Sequence, residues 1–292
     1  MDAYISLDVE TIYGVWDVID EKYFESNVNY SFKNLRRIID LHEKYDLKLN
    51  LGVVGLLFKN QINDESFFYL YRENKKNIFT KLKKSNDSLL LICDKTLGHL
   101  KSNNVQLLSH TFYHNYLDSD KKKSLIDEEL KKINLQVRQG LIKKGIIFPK
   151  NQASDYAINS FLEKGYTLRL NFNNPLYKNK YNSLIRLFRF IDSFLPLTEL
   201  LNFLFENKRN NKKIIEGGIF FRPSFMLPLL DKFHLFRIII HYYYCKFFHK
   251  TFHLWSHPHN FGNNVNSLNN YEFILNFLTE KRVKLKYFVE NE

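Results

Sequence analysis

Short apolar segments alternate with longer amphipathic ones along this chain of 292 residues, and the alternation limits the folds open to it. Residues 4–9, 47–54 and 105–109 predict strands. A periodic apolar face after Ser31 predicts a helix that Ser31 caps. Strands that alternate with helices favour parallel pairing, and therefore an α/β architecture. The pattern does not distinguish an open sheet from a closed one.

The second half of the chain continues this pattern. Residues 122–143 predict a polar helix with one apolar face, and Gly145 is placed to end it. The remaining predictions are a strand at 146–148, a helix at 155–163, and strands at 166–170, 214–221 and 251–256. Because no internal repeat or Pro/Gly/Ser-rich linker divides the chain, we expect a single domain over residues 1–292.

Composition restricts the class of protein. A hydrophobic fraction of 45% and a charged fraction of 25% are typical of a globular domain. The net charge of +12 favours anionic partners, although lysine enrichment on solvated faces explains it equally well. No zinc-finger spacing or RNP-type motif accompanies the charge, so nucleic acid is not an expected partner. Cys93 and Cys245 form no CxxC pair, and no disulfide framework is indicated.

The chain has neither a basic-then-apolar leader nor an apolar run of about 18 residues, so the cytoplasm is the expected compartment. Residues 233–253 mix Phe, Tyr and Ile with Arg237, Lys246 and Lys250, and residues 184–205 are strongly apolar. Such stretches either pack into a core or lie on an anionic membrane. A peripheral contact with the inner membrane face is therefore one expectation beside core packing. The sequence does not determine the oligomeric state.

Polar clusters follow several predicted strands, at the end where parallel α/β folds build their sites. Asp8 and Glu10 are two apart on a strand, so their carboxylates share one face. His110 and His114 are four apart, which on a helical turn places both imidazoles on one face and suits zinc or a similar cation. His257 ends the last strand, as a general acid or as a core histidine bonded to backbone. Taken singly, each cluster also fits a purely structural use.

In this order, the clusters resemble the polysaccharide deacetylase superfamily, the carbohydrate esterase group that includes chitin and peptidoglycan deacetylases. The segment Ser-His-Thr-Phe-Tyr-His at 109–114 is the strongest match. The other matching segments are the acidic motif at 8–10, the strand at 49–55, the Pro-containing loop at 148–152, the late strand at 217–222 and the segment at 254–261. The resemblance spans residues 5–261 and implies a distorted (β/α) barrel with its site at the strand ends.

The resemblance also implies roles for individual residues. Glu10, His110 and His114 would hold a divalent metal, for which zinc is the expectation. Asp8 would be the general base that takes a proton from water, and His257 would be the general acid that protonates the departing amine. We expect His257 rather than His259 in this role, because Pro258 ends the strand and His257 is the last position whose direction the strand fixes.

The chain departs from the family at two positions. The usual motif has two adjacent aspartates, whereas here Val9 replaces the second and Glu10 follows it. The family's third motif normally offers an arginine that orients the base, and in this loop only Lys150 is available. Lys150 is therefore the expected cation beside the base. Both departures point towards weakened activity.

The resemblance implies removal of an acetyl group from an N-acetylated sugar. For a cytoplasmic enzyme we expect a phosphate-linked intermediate of surface polysaccharide biosynthesis, which also suits the basic surface. Three alternatives remain open: a C–N hydrolase acting on a non-carbohydrate amide, a glycan-binding member that has lost catalysis, and a basic nucleic-acid binder.

Overall fold

The computed structural model describes residues 1–15, 21–58, 92, 94–170, 191–192, 194, 213–216, 218–224 and 227–290. Within these residues eight strands form one parallel sheet in the order β6-β5-β4-β3-β2-β1-β8-β7. The strands are β1 (Ala3–Val9), β2 (Leu49–Val53), β3 (Val105–Ser109), β4 (Gly145–Ile147), β5 (Thr167–Leu170), β6 (Ile214–Glu216), β7 (Ile219–Phe220) and β8 (Phe252–Ser256). The predicted α/β class with parallel pairing is confirmed.

The helices cover the outer face of the sheet. The described α-helices are α1 (Glu21–Ser26), α2 (Ser31–Lys44), α3 (Asp94–Leu100), α4 (Lys123–Arg138), α5 (Asp155–Glu163), α6 (Pro228–Phe247) and α7 (Val265–Glu280). Leu35, Ile38 and Ile39 of α2 are fully buried in the main hydrophobic core, as the apolar periodicity predicts. The predicted stripe of residues 184–205 lies almost wholly outside the described residues. Among the described helices, none has the length and apolar character needed to cross a membrane.

The two edges of the sheet come together. β6 ends at Glu216 and β7 begins at Ile219, although these strands lie at opposite edges. Three residue steps span at most about 11 Å, so the sheet must curl until its edges approach. The side chain of His253 on β8 crosses this seam and donates from Nδ1 to the carbonyl of Glu216 (2.7 Å). The curled (β/α) barrel that the family resemblance implied is therefore present.

The single strand predicted at 214–221 is wrong in one respect, because two strands occupy it. Residues 214–216 pair with β5, and residues 219–220 pair with β8. Gly218 between them has a φ of 63°. A Cβ at this position would lie 2.1 Å from the carbonyl oxygen of His253, so only glycine permits the change of partner strand.

Three smaller predictions are also corrected. Ser31 does not cap α2 but opens it, and its hydroxyl donates to the carbonyl of Val28 (2.6 Å). Helix α4 ends at Arg138, before the predicted end at 143, because the chain turns at Gly140 with a φ of 71°. Gly145 then opens strand β4 instead of ending the helix.

The last residues of the described chain fill the amino-terminal end of the barrel. Phe288 joins Leu108, Ile147 and Ile215 in a small interior cluster that is separate from the main core. The amide groups of Asn50 and Gln106 bond the backbone of residues 286–289, so this plug is tied to β2 and β3. The apolar plug leaves the opposite, carboxyl end of the strands for polar side chains.

Candidate metal centre and active site

The predicted polar clusters meet at the carboxyl ends of the strands. Glu10 follows β1, His110 follows β3, and His114 lies four residues farther on; all three are buried. Oε2 of Glu10 lies 3.2 Å from Nε2 of His110 and 2.9 Å from Nε2 of His114. One possible ligand atom from each residue lies within 4.8 Å of the others. Among the described residues, this is the one group of three His, Cys, Asp or Glu side chains so arranged.

The donor set fits a divalent cation. Nδ1 of His110 donates to the carbonyl of Ile147 (2.9 Å), and a carbonyl can only accept. In the neutral imidazole, Nε2 therefore carries a lone pair that faces the Glu10 carboxylate. A cation between the two removes this repulsion, and a backbone carbonyl behind a ligand histidine is the usual way in which proteins orient it. Two imidazoles and one carboxylate are ligands typical of zinc.

The charges of the cluster support an ionised Glu10. Burial alone would raise its pKa, but His257, His110 and His114 outweigh burial and hold the pKa of Glu10 well below its ordinary value. For His114, burial is the larger effect and lowers its pKa despite the neighbouring carboxylate. Glu10 is therefore ionised and His114 is neutral at neutral pH, which are the forms that bind a metal.

The local structure of the two histidines differs from the prediction. They do not lie on a helical turn: residues 111–114 form a loop between β3 and the later helix α4. Thr111 and His114 have φ angles of 61° and 58°, in the left-handed region. The two imidazoles still meet, with their ring centroids 5.0 Å apart. The predicted proximity holds, although its structural cause is different.

Asp8 lies beside the cluster of Glu10, His110 and His114 but has another partner. Arg169 on β5 is fully buried and forms a two-pronged ion pair with Asp8, with distances of 2.7 Å (Nη1–Oδ1) and 2.6 Å (Nη2–Oδ2). Burial would raise the pKa of Asp8, but the Arg169 guanidinium outweighs it and the pKa lies below its ordinary value. Asp8 is therefore ionised.

The predicted role of Lys150 is wrong. Lys150 is exposed, and its Nζ lies 3.1 Å from the ring centroid of Tyr116. The cation that pairs with Asp8 comes from the next strand, at Arg169. The sequence held a signal for this residue, because Arg169 stands inside the apolar segment Thr-Leu-Arg-Leu. An arginine buried in a strand needs a carboxylate partner, and Asp8 is that partner.

Two further hydrogen bonds hold the guanidinium of Arg169 in place. Nη1 also donates to Oγ of Ser6 (2.8 Å), and Nε donates to Oδ1 of Asn151 (2.9 Å). Because Nδ1 of His253 is committed to the Glu216 carbonyl, its Nε2 accepts from the Ser6 hydroxyl (2.9 Å). Burial lowers the pKa of His253 to about 3, with Arg169 adding to the effect. The network that joins Asp8, Arg169, Ser6 and His253 therefore contains one cation, Arg169, and a neutral histidine, His253.

His257 lies on the open side of both carboxylates. Its Nε2 lies 3.5 Å from Oε1 of Glu10 and 3.9 Å from Oδ2 of Asp8. The hydroxyl of Tyr23 donates to Oδ1 of Asn260 (3.1 Å), which leaves the amide nitrogen of Asn260 to donate to Nδ1 of His257 (3.1 Å). The neutral form of His257 then carries its proton on Nε2, towards the carboxylates.

His259 occupies a different environment from His257. Only 4% of His259 is exposed, and its ring stacks on that of His257 with centroids 4.9 Å apart. Burial lowers the pKa of His259 to about 3, and His257 adds to the effect. The buried, stacked ring supports His257 and does not line the open side of the site.

Comparison with known proteins adds a fold assignment. The chain is similar to a probable polysaccharide deacetylase from Pseudomonas aeruginosa, with a TM-score of 0.52, 9% identity, and coverage of 99% of this chain and 87% of that one. The chain has the polysaccharide deacetylase fold. It is also similar to an allantoinase, with a TM-score of 0.50, 10% identity and coverage of 99% and 87%. The fold is therefore common to enzymes with different substrates.

A third similar structure is a CE4 family pseudoenzyme from Bacillus anthracis, with a TM-score of 0.44 and 10% identity. The match covers 97% of this chain but only 62% of the Bacillus anthracis chain. No family model matches the sequence, and no curated protein matches it. The chemistry of this chain must therefore be argued from its own site.

Proposed function

We propose that this chain is a metal-dependent hydrolase that removes the acetyl group from an N-acetylated sugar. The observation that carries the proposal is that Asp8 and Glu10 have different partners. Glu10 lies against two histidine nitrogens, and Asp8 lies against an arginine, within one buried cluster. One carboxylate is thus suited to hold a cation, while the other stays free of it as a base.

The proposed chemistry is hydrolysis of an acetamide to acetate and an amine. A divalent cation held by Glu10, His110 and His114, for which zinc is the first choice, would lower the pKa of water and polarise the acetamide carbonyl. Asp8 takes a proton from the attacking water, and Arg169 keeps Asp8 ionised and oriented. His257 gives a proton from Nε2 to the departing nitrogen.

The proposed substrate is a phosphate-linked N-acetylated sugar used in surface polysaccharide biosynthesis, and the proposed compartment is the cytoplasm. The net charge of +12 supports an anionic substrate. The second candidate is hydrolysis of a non-carbohydrate amide, which is favoured by the similarity to an allantoinase at a TM-score of 0.50.

Metal analysis combined with an acetate assay tests the proposal. We expect one zinc ion per chain, and acetate release from a panel of N-acetylated sugars and nucleotide sugars. His110→Ala and His114→Ala should each lose the metal and the activity, whereas the exposed variant Lys150→Met should keep both. Cleavage of allantoin-type amides without acetate release would select the second candidate. Glycan binding without turnover, in metal-loaded protein, would indicate a binding protein.

We also propose a peripheral contact of helix α6 with anionic membranes. Its outer face carries Leu229, Phe233, Phe236, Tyr243 and Phe247, which are 46% to 77% exposed. These positions recur at helical spacing and form one apolar stripe. The exposed charged side chains of α6 are lysines, and its one acidic residue is buried. An apolar stripe flanked by cations suits the surface of an anionic bilayer.

Vesicle sedimentation at low salt tests this contact. The protein should bind vesicles of phosphatidylglycerol more strongly than vesicles of phosphatidylcholine. The double variant Phe236→Ser/Phe247→Ser should reduce binding, whereas Leu135→Ser, which changes an exposed apolar side chain on α4, should not. Equal binding by both variants would show that the α6 stripe does not contact the membrane.

A further inference from the structure

The loop that carries the two metal-binding histidines cannot hold its shape by itself. Its residues form no helix, so no regular backbone bonds fix the distance from His110 to His114. Thr111 and His114 adopt left-handed backbone conformations, which side chains disfavour and which are least suited to a β-branched residue such as Thr111. The surrounding structure must therefore impose this conformation.

One side of the loop is held by the short turn Gly55–Leu57, which follows β2. The backbone N–H groups of Gly55 and Leu56 donate to the carbonyls of Thr111 and Phe112, each at 3.1 Å. A Cβ at position 55 would lie 2.5 Å from the Phe112 ring, so glycine permits this close approach. These two bonds satisfy the carbonyl groups of Thr111 and Phe112, whereas the N–H groups of Phe112 and Tyr113 have another partner.

That partner is Glu129 on α4. Oε2 of Glu129 accepts from the backbone N–H of Phe112 (2.5 Å), and Oε1 accepts from the N–H of Tyr113 (3.2 Å) and from Nδ2 of Asn115 (2.9 Å). The side chain is fully buried. Both oxygens face N–H donors, and a carboxylate offers an acceptor to each of them. Burial raises the pKa of Glu129 to about 7, and its three N–H donors oppose this rise.

We propose that Glu129 is the positioning residue of the metal centre. By holding the Phe112 and Tyr113 peptides, its carboxylate fixes the left-handed turns on either side, and so the spacing of the His110 and His114 imidazoles. The inference rests on the proposed metal centre and adds a residue that neither binds the cation nor touches the substrate. This role of Glu129 explains how a loop without helical hydrogen bonds keeps the two imidazoles at a fixed spacing.

Zinc affinity of the metal-free protein tests the inference. Glu129→Gln replaces one acceptor by an NH₂ group that must face an N–H donor. We expect its zinc affinity to fall about 10- to 100-fold, the usual effect of losing a supporting partner of a metal ligand. The absorption spectrum of the cobalt-substituted variant should also change, because the ligand geometry relaxes.

Two variants control for charge and for stability. Glu128→Gln removes the neighbouring, exposed carboxylate, which accepts from the Tyr113 hydroxyl and not from the loop backbone. Tyr166→Phe removes another buried tether of α4, the hydrogen bond to Asn134. Both should bind zinc within about threefold of the unaltered protein. A Glu129→Gln protein with unaltered zinc affinity and an unaltered cobalt spectrum would overturn the inference.

Hydrogen exchange on the unaltered, metal-free protein covers the case in which Glu129→Gln does not fold. The amides of Phe112 and Tyr113 should exchange slowly, because a buried carboxylate binds them. Rapid exchange of both would overturn the inference without any variant. Neither experiment uses turnover: a protein that binds zinc but releases no acetate contradicts the proposed function, and leaves the role of Glu129 to the zinc and exchange measurements.

Discussion

The site has two halves, one around Asp8 and one around Glu10, and they are built in different ways although both residues lie at the end of β1. Asp8 lies on regular strand and pairs with Arg169 of β5, another strand residue. Glu10 lies just beyond the strand, and its partners His110 and His114 belong to an irregular loop. The half around Asp8 contains a complete ion pair, whereas the half around Glu10 gathers three groups suited to a cation.

The difference shows which interactions position the side chains in each half of the site. In the half around Asp8, strand alternation directs the side chains, and a planar guanidinium matches a planar carboxylate. In the half around Glu10, a distant carboxylate on α4 holds the loop. Loss of a partner should therefore affect the stability of the first half and the metal affinity of the second.

The largest expected effect is that of Arg169→Leu. It leaves the buried Asp8 carboxyl without its cation, which should cost about 3–5 kcal/mol in the free energy of unfolding. Chemical denaturation measures this loss. The double variant Asp8→Asn/Arg169→Leu should recover part of it, because no charge is then left buried. Lys150→Met should cost less than about 1 kcal/mol, and a larger cost than that of Arg169→Leu would reverse the roles of these two cations.

Replacing each carboxylate in turn by its amide distinguishes the function of the two halves. Asp8→Asn should keep the zinc but lose about 10²–10⁴-fold in the rate of acetate release, because the general base is gone. Glu10→Gln should lose zinc as well as activity. Metal analysis of both purified variants decides the matter. Zinc lost from Asp8→Asn and retained by Glu10→Gln would exchange the two assignments.

The two histidines of the last motif provide a smaller test. His257→Ala should lower the rate about 10²–10⁴-fold with the fold and metal intact, because His257 faces the carboxylates on the open side. His259→Ala should lower it less than about tenfold, since His259 is buried behind His257 and acts through its orientation. The reverse ranking, in folded and metal-loaded variants, would place the general acid at position 259.

The effect expected to be smallest at neutral pH concerns His253, in the hydrogen-bond network of Ser6 and Arg169. His253 has a pKa of about 3 in the folded chain, against an ordinary value of 6.5. Between these values the unfolded chain binds a proton that the folded chain does not, so stability falls as the pH is lowered from about 6.5 towards 3. His253→Gln should flatten this dependence by at most about 1.4 kcal/mol per pH unit in urea unfolding. The exposed variant His249→Gln serves as the control, and identical slopes in the His253→Gln and unaltered proteins would contradict a neutral, buried His253.

The sequence predicted the site best where a strand fixed the side-chain direction. Asp8, His110 and His257 end strands β1, β3 and β8, and the structure brings all three together. Arg169 was missed because the motif order pointed to the loop at 148–152. Which of two basic residues reaches Asp8 depends on strand order and register, and the register between the neighbouring strands β4 and β5 places Arg169 beside Ile147.

The sequence by itself determined the alternation of strands and helices, the polar strand ends and the residue types of the candidate metal site, because these depend on local periodicity and on the chemistry of single side chains. Only the tertiary structure decided that the two edges of the sheet meet at Gly218, that Arg169 pairs with Asp8, and that Glu129 accepts from the backbone of the histidine loop. Each of these contacts joins residues far apart in the chain or depends on a backbone angle. No local pattern encodes such contacts, since their free energy is gained only after the barrel has closed.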